Sequence, residues 1–174
     1  MKLTPVAQKF ILHWGEMGTR WGVNRTVAQI HGLLYLSPRP LHAEEIAATL
    51  AVARSNVSNS LRELQSWGVV RVVHQLGDRR DHFESLKDVW EMFQIILDER
   101  KRREIDPTLA MLRSGVGELK AGGPADEHTR RRLEEMLGFF ETATALYSEV
   151  RHLPLGTLRQ IGRVRGKVRR LFGA

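Results

Sequence analysis

The sequence predicts a mainly α-helical chain carrying one small antiparallel β hairpin, and two adjacent stretches predict it. In the first, Ala53-Arg-Ser-Asn-Val-Ser-Asn-Ser-Leu-Arg-Glu-Leu-Gln-Ser-Trp-Gly68, the residues Val57, Leu61, Leu64 and Trp67 recur at steps of four, three and three, which stacks them on one face of a helix. The opposite face is polar, with Arg54, Ser55, Asn56, Ser58 and Asn59 crowded into the first two turns. In the second, Gly68 stops the helix and the β-branched run Val69-Val-Arg-Val-Val73 reads as a strand. Gly77-Asp-Arg-Arg-Asp81 reads as a charged turn and His82-Phe-Glu-Ser85 as the returning strand. Helix, glycine, strand, basic turn and strand is the order of a winged helix-turn-helix, with Arg79 and Arg80 expected at the tip of the wing.

The elements around this centre follow in order. From Thr4, the positions Val6, Phe10, Ile11 and Trp14 keep helical spacing with Pro5 in the first turn, and Gly15 and Gly18 are expected to punctuate the end of that helix. A second helix is expected from about Trp21 or Asn24 to Leu36, exposing Val27, Ile30, Leu33 and Leu34 along one side, and Ser37-Pro-Arg-Pro40 terminates it. Leu41 supplies a short edge strand. His42 or Ala43 through Leu50 forms the positioning helix, burying Ile46, Ala47 and Leu50 and placing Glu44 and Glu45 in its first turn, where the helix dipole favours negative charge. Ala51-Val-Ala53 is the tight connection to the polar-faced helix.

After the wing, Asp88 to about Glu104 is a long amphipathic segment with Val89, Trp90, Phe93, Ile96 and Leu97 on one face. Its charged half, Asp98-Glu-Arg-Lys-Arg-Arg-Glu104, reads as a solvated face laced with local pairs. Asp106-Pro107 allows a bend or break before Leu109, Leu112 and Val116 continue helically, and Lys120-Ala-Gly-Gly-Pro124 is a loop. Asp126 to His152 is a further helix with a broad stripe of Leu133, Met136, Leu137, Phe140, Ala143, Leu146, Tyr147 and Val150. The stripe requires a partner surface, and the equivalent helix of a second subunit together with the first helix is the simplest. The last stretch, Leu155 to Phe172, sets Leu158, Ile161, Val164, Val168 and Leu171 against six Arg and Lys residues, a basic amphipathic helix open to packing on the dimerisation region, to DNA-backbone contact or to a membrane surface. The expected organisation is therefore 1–36, N-terminal helices; 37–87, winged helix-turn-helix; 88–153, linking and dimerisation helices; and 154–174, the basic helix.

The ordered set Ile46-Ala-Ala-Thr-Leu50, Ser55-Asn-Val-Ser58, Leu61-Arg-Glu-Leu64, Trp67-Gly-Val69 and Gly77-Asp-Arg-Arg-Asp81, with Arg25-Thr-Val-Ala-Gln-Ile-His-Gly-Leu-Leu-Tyr-Leu36 upstream, resembles the GbsR-like branch of the MarR family of bacterial transcription regulators. The resemblance covers roughly the first two thirds of the chain. One departure is Ala53, where such helices often carry a Ser or Thr cap, leaving Ser55 or the backbone to compensate. The resemblance implies a homodimer, and a small apolar or quaternary-ammonium effector held near Trp14, Trp21, Tyr35, Trp90 and Phe93.

Composition bounds the alternatives. The 174 residues are 42% hydrophobic, enough for a core, and carry a formal charge of +7, which suits a polyanionic partner. Cysteine is absent, which removes disulfides, thiolate metal sites and cysteine nucleophiles. No stretch approaches the apolar length of a membrane span and no signal-peptide core opens the chain, so a cytoplasmic protein is expected. The seven histidines are scattered without metal-ligand spacing, although His74 and His82 are positioned to meet across the wing. Gly115-Val-Gly117 lacks the context of a phosphate loop, and Ser37, Ser55 and Ser85 sit in no nucleophile elbow. Neither an enzyme nor a cofactor or metal is implied.

Ser and Asn gather at helix starts as caps as well as readers, so the polar cluster gains its meaning from the basic hairpin beside it. Arg, Asn and Ser read base edges in the major groove, and the same residues with free helix-start amides bind phosphate. Arg54, Asn56 and Asn59 are expected on base edges, Ser55 and Ser58 on bases or phosphates, and Arg79 and Arg80 on phosphate or in the minor groove, braced by Asp78 and Asp81. The function expected is that of a sequence-specific DNA-binding regulator, a repressor acting as a homodimer on an inverted repeat. The rivals are a winged helix that binds protein, which calls for apolar or acidic surfaces at the same place, and a membrane-peripheral protein using the basic tail.

Overall fold

The computed structural model describes residues 2–121 and 127–151, and the chain divides into two units, Met1–Ile96 and Leu97–Ala174. The basic segment expected over 154–174 lies outside the described residues, as does most of the loop after Lys120.

The first unit begins with α1 (Pro5–Arg20), started by Thr4, whose hydroxyl accepts the N–H of Ala7 at 3.2 Å. Contrary to expectation, Gly15 and Gly18 do not end this helix. A Cβ on Gly15 would lie 2.6 Å from Cγ of Gln29, and one on Gly18 2.5 Å from Cβ of Ala28, so both glycines are where α1 lies flush against α2 (Arg25–Leu36). The chain leaves α1 through Trp21 and Gly22, the latter at φ +76°. Asn24 then caps α2 by accepting the N–H of Thr26 at 2.8 Å. At the other end of α2, the Lys87 ammonium donates to the carbonyls of Leu34, Tyr35 and Ser37 at 2.8, 2.8 and 2.9 Å, satisfying helix-end acceptors that otherwise face partly buried surroundings. That burial pulls the Lys87 amine below its ordinary value, against the pull of Glu84.

β1 (Leu41–His42) leads into α3 (Ala43–Leu50), and Ala51 turns the chain in a left-handed conformation, φ 54°, toward α4 (Arg54–Ser66). β2 (Val70–Gln75) and β3 (Asp78–Ser85) form the hairpin, and the sheet runs β1-β3-β2, antiparallel throughout, with Leu41 opposite Phe83 and Val72 opposite the same residue on the other side. Ile30, Leu33, Leu34, Leu41, Ile46, Val57, Leu64 and Val69 are fully buried together, so the alternating strand residues and the 3.6-period helix faces converge on one core. The mostly helical chain with this small sheet is the fold class the sequence predicts.

The hairpin departs from expectation in one respect. Both strands are longer than the hydrophobic pattern implies, and the turn shrinks to Leu76-Gly77, with Gly77 at φ +83°. The ladder is irregular between Val73 and Gln75, which lets the charged residues Asp78 to Asp81 stay in the strand. Arg79 and Arg80 therefore stand at the start of β3, and the tip is the fully exposed Leu76.

α5 (Val89–Arg100) starts at Asp88, whose carboxylate accepts the N–H groups of Trp90 and Glu91. In place of a break at Asp106-Pro107, a π-helical turn spans Lys101–Ile105 and α6 (Asp106–Ala121) continues from it. Pro107 has no N–H and its ring crowds the preceding turn; the widened turn absorbs both effects. In the second unit α6 packs against α7 (Glu127–Arg151), burying Leu109, Leu112 and Val116. The Tyr147 hydroxyl donates to Asp98 at 2.7 Å, and burial followed by that carboxylate pushes the phenol up to about 12. Among the described residues no helix is long and apolar enough to cross a membrane.

Candidate nucleic-acid interface

The polar-faced helix is presented as its spacing requires. Val57, Leu61 and Leu64 are buried and Trp67 half-buried, while Arg54, Ser55, Asn56 and Asn59 are exposed and Ser58 is half-buried. No side chain closes the helix start at Ala53, so its amides are left for another acceptor. Beside this face the wing and the start of α3 enclose an open groove of about 320 Å³, lined by Glu44, Arg54, Ser58, Arg62, Gln65, Arg80 and Asp81 over a floor of Leu61, Val72 and Phe83.

The groove brings together Arg54, Ser58 and Arg80, while Ser55, Asn56 and Asn59 lie exposed on α4 outside its lining. It adds Arg62 and Gln65, which the sequence reading left out. The signal was available: 54, 58, 62 and 65 fall on one helical face. Arg62 also donates to the side-chain carbonyl of Asn59 at 2.8 Å, which orients that amide.

Two of the groove's arginines, Arg54 and Arg80, are held by carboxylates. Arg54 pairs with Glu44 at 2.7 Å, and Arg80 forks on Asp78 through Nε and Nη2 at 2.9 and 2.6 Å. Arg79, by contrast, is exposed and pairs with no carboxylate among the described residues. Neighbouring residues of a strand point to opposite faces, so the pair expected to act together at a tip is divided into one tethered and one free cation. The Arg80 guanidinium and backbone N–H hold the Asp78 carboxyl well below the usual carboxylate range. Hydrogen bonds from Arg39 hold Glu45 at about 2, and Glu44 is lowered by its own backbone N–H and then by His42. Asp78 is thus the brace expected of it. Asp81 is not, and instead lies 3.7 Å from His74.

His74 and His82 do not meet. With Val73 opposite His82 the two rings fall on different faces of the ladder, and His82 turns inward to stand edge-on to His42, ring centroids 5.6 Å apart. Among the described residues no group of three or more His, Asp or Glu side chains is placed to hold a metal.

The aromatic residues divide likewise. Trp14 stacks on Phe10 at 5.6 Å, meets Trp21 edge-on at 6.0 Å and donates its indole N–H to Nδ1 of His31 at 3.3 Å. The Lys87 ammonium lies 5.8 Å from the centre of the Tyr35 ring, while Trp90 and Phe93 are exposed on α5. His31, which the sequence does not mark out, is buried with Nε2 unpartnered, and burial together with Lys87 lowers it to about 4.

Fold and interface together define a winged helix-turn-helix with a cationic, amide-bearing outer face. Residues 21–81 match the sequence model of the MarR family. A putative HTH-type transcriptional regulator of Bacillus subtilis, YvaV, is 24% identical over 84 residues, 48% of each chain, so this chain spans about half the length of the curated relative it matches. A solved structure described as a transcriptional regulator superposes with a TM-score of 0.68 at 23% identity, over 90% of this chain and 99% of that one. The Staphylococcus aureus MepR–DNA complex aligns more loosely, with a TM-score of 0.39 and 18% identity over 79% of this chain and 98% of its own.

Proposed function

We propose that this protein is a DNA-binding transcriptional regulator of the GbsR-like branch of the MarR family, a repressor that acts as a homodimer and catalyses no reaction. The observation that carries the reading is the groove between α4 and the wing, where Arg54, Ser58, Arg62 and Arg80 stand beside the exposed amides of Asn56 and Asn59. α4 enters the major groove with its first two turns, and Arg79 reaches the backbone alongside. In a twofold dimer two such helices reach successive grooves about 34 Å apart, so the operator is an inverted repeat with half-sites one turn apart. The helices of 88–153 supply the dimer contact, supported by the exposed Met136, Phe139 and Leu146 of α7.

The test is a gel shift with DNA flanking its own gene across a salt series. Arg79→Ala weakens binding to all sequences and flattens the salt dependence, whereas Asn56→Ala changes which sequence is preferred. Identical behaviour of the two variants overturns this sorting of contacts. The effector reading places a small apolar or quaternary-ammonium molecule against the Trp14 and Trp21 rings, with Tyr35, Trp90 and Phe93 as further candidates. A thermal-shift series with choline and related quaternary amines tests it, and no shift with any of them counts against it.

A further inference from the structure

Two of the three arginines that line the groove, Arg54 and Arg80, lead back to one histidine. Nδ1 of His42 is 2.9 Å from Oε2 of Glu44, and Oε1 of that carboxylate is 2.7 Å from Nη1 of Arg54. On the other edge of the ring, Nε2 is 3.0 Å from Nη1 of Arg80, which is itself forked on Asp78. A guanidinium never accepts a hydrogen bond, so Nε2 is the acceptor and the ring proton sits on Nδ1, donating to Glu44. The backbone N–H of Glu45, 3.4 Å from Nδ1, needs that atom as an acceptor and is given up in this tautomer, in favour of the shorter contact to Glu44. The side chain is only 13% exposed, so this arrangement is enclosed rather than solvated.

We propose that His42 is a positioning residue that couples the α4 arginine to the wing arginine and takes up a proton as both pass to DNA. The proposal rests on the DNA-binding reading above. When a phosphate replaces Glu44 as the partner of Arg54, that carboxylate is left to His42. When Arg80 moves to DNA, Nε2 loses its donor. Each change favours the doubly protonated ring, which donates from both nitrogens and meets Glu44 on one side and Glu45, 3.5 Å from Nε2, on the other. In the free protein the same proton sets a cation against Arg80 and removes its acceptor. Binding is therefore linked to proton uptake, and affinity rises as pH falls through the range where histidine titrates.

The charged and titratable groups around the ring are Glu44 and Glu45 of α3, Arg54 of α4 behind Glu44, Asp78, Arg80 and His82 of β3, and Arg39 before β1, bonded to Glu45. The other histidines add a general cationic contribution at low pH, so the share of His42 is the difference between the native chain and His42→Gln. Glutamine keeps one donor and one acceptor and does not titrate.

The test is fluorescence anisotropy at fixed ionic strength, from pH 8 to pH 5.5, with a labelled duplex taken from upstream of the protein's own gene. His42→Gln is expected to bind within about twofold of the native chain at pH 8, and the native chain to gain about fivefold more affinity than the variant by pH 5.5. Equal pH slopes overturn the linkage. Absence of binding by the native chain at every pH and salt concentration overturns the DNA-binding reading and the linkage with it. A readout free of DNA is the nitrogen chemical shift of the His42 ring at pH 8, which reports the Nδ1–H tautomer if the bridge exists; an Nε2–H tautomer overturns it.

Discussion

The two units of this chain treat apolar side chains differently. In Met1–Ile96, Ile30, Leu33, Leu41 and Ile46 are wholly buried between a helix pair, the helix-turn-helix and a sheet, three kinds of surface that close around one core. In the second unit the core among the described residues is smaller, Leu109, Leu112 and Val116, and Met111, Met136, Phe139 and Leu146 are each more than half exposed; the first unit also leaves Val6, Leu12, Leu76, Val89 and Phe93 more than half exposed, so the difference lies in how much each core encloses. Two packed helices cover only the stripes that face each other, whereas a layered domain covers its elements from several sides. The first unit thus packs α4 and the base of the hairpin into one core, and the second carries the surface that our proposed second subunit would cover.

Substitutions sharpen that contrast. Leu33→Ala is expected to cost about 2–5 kcal/mol, read from urea unfolding, because its cavity lies among fully buried neighbours. Leu146→Ala, on a side chain 65% exposed, is expected to change unfolding of the isolated chain by less than about 0.5 kcal/mol while weakening self-association in sedimentation. Comparable losses from the two would remove the distinction.

Acid tests the core of the first unit. His31 is held at about 4 in the folded chain, below its ordinary 6.5, so the unfolded chain binds the proton first as pH falls. Stability present above about pH 6.5 is lost progressively down to about pH 4, to a total of about 3 kcal/mol. Urea midpoints at pH 7 and 4.5 measure it, and His31→Leu is expected to flatten that slope. The loss tied to Glu45 falls lower, between its ordinary 4.5 and about 2.

Two glycines give effects of opposite sign. Gly18→Ala places a methyl 2.5 Å from Ala28 and is expected to destabilise by about 1–3 kcal/mol. Gly117→Ala on α6 meets nothing within 4 Å and is expected to stabilise by about 0.5–1 kcal/mol through helix propensity. Thermal unfolding of both checks the opposite signs.

Much of the helix-turn-helix was legible in the sequence, because its determinants are local. Val57, Leu61 and Leu64 are buried and Arg54, Asn56 and Asn59 exposed, as helical spacing requires, and Leu41 forms its short strand. Readings failed where a distant residue decided. Gly15 and Gly18 look like stops until Gln29 and Ala28 are seen packed on them. Arg79 and Arg80 look like a tip until the strand register places the turn at Leu76-Gly77. Arg62 and Gln65 were missed although their spacing from Arg54 showed the same face.

By itself the sequence determined which segments become helix or strand and which face of each turns inward, since side-chain periodicity and turn residues act over a few positions. Only the tertiary structure decided that Lys87 closes the end of α2 from more than fifty residues away, that His82 faces His42 instead of His74, and that Arg80 directly and Arg54 through Glu44 are joined to one imidazole. Those partners are joined by hydrogen bonds and charge across elements, and such contacts leave no period in the chain; they exist once packing of the apolar faces has fixed the distances.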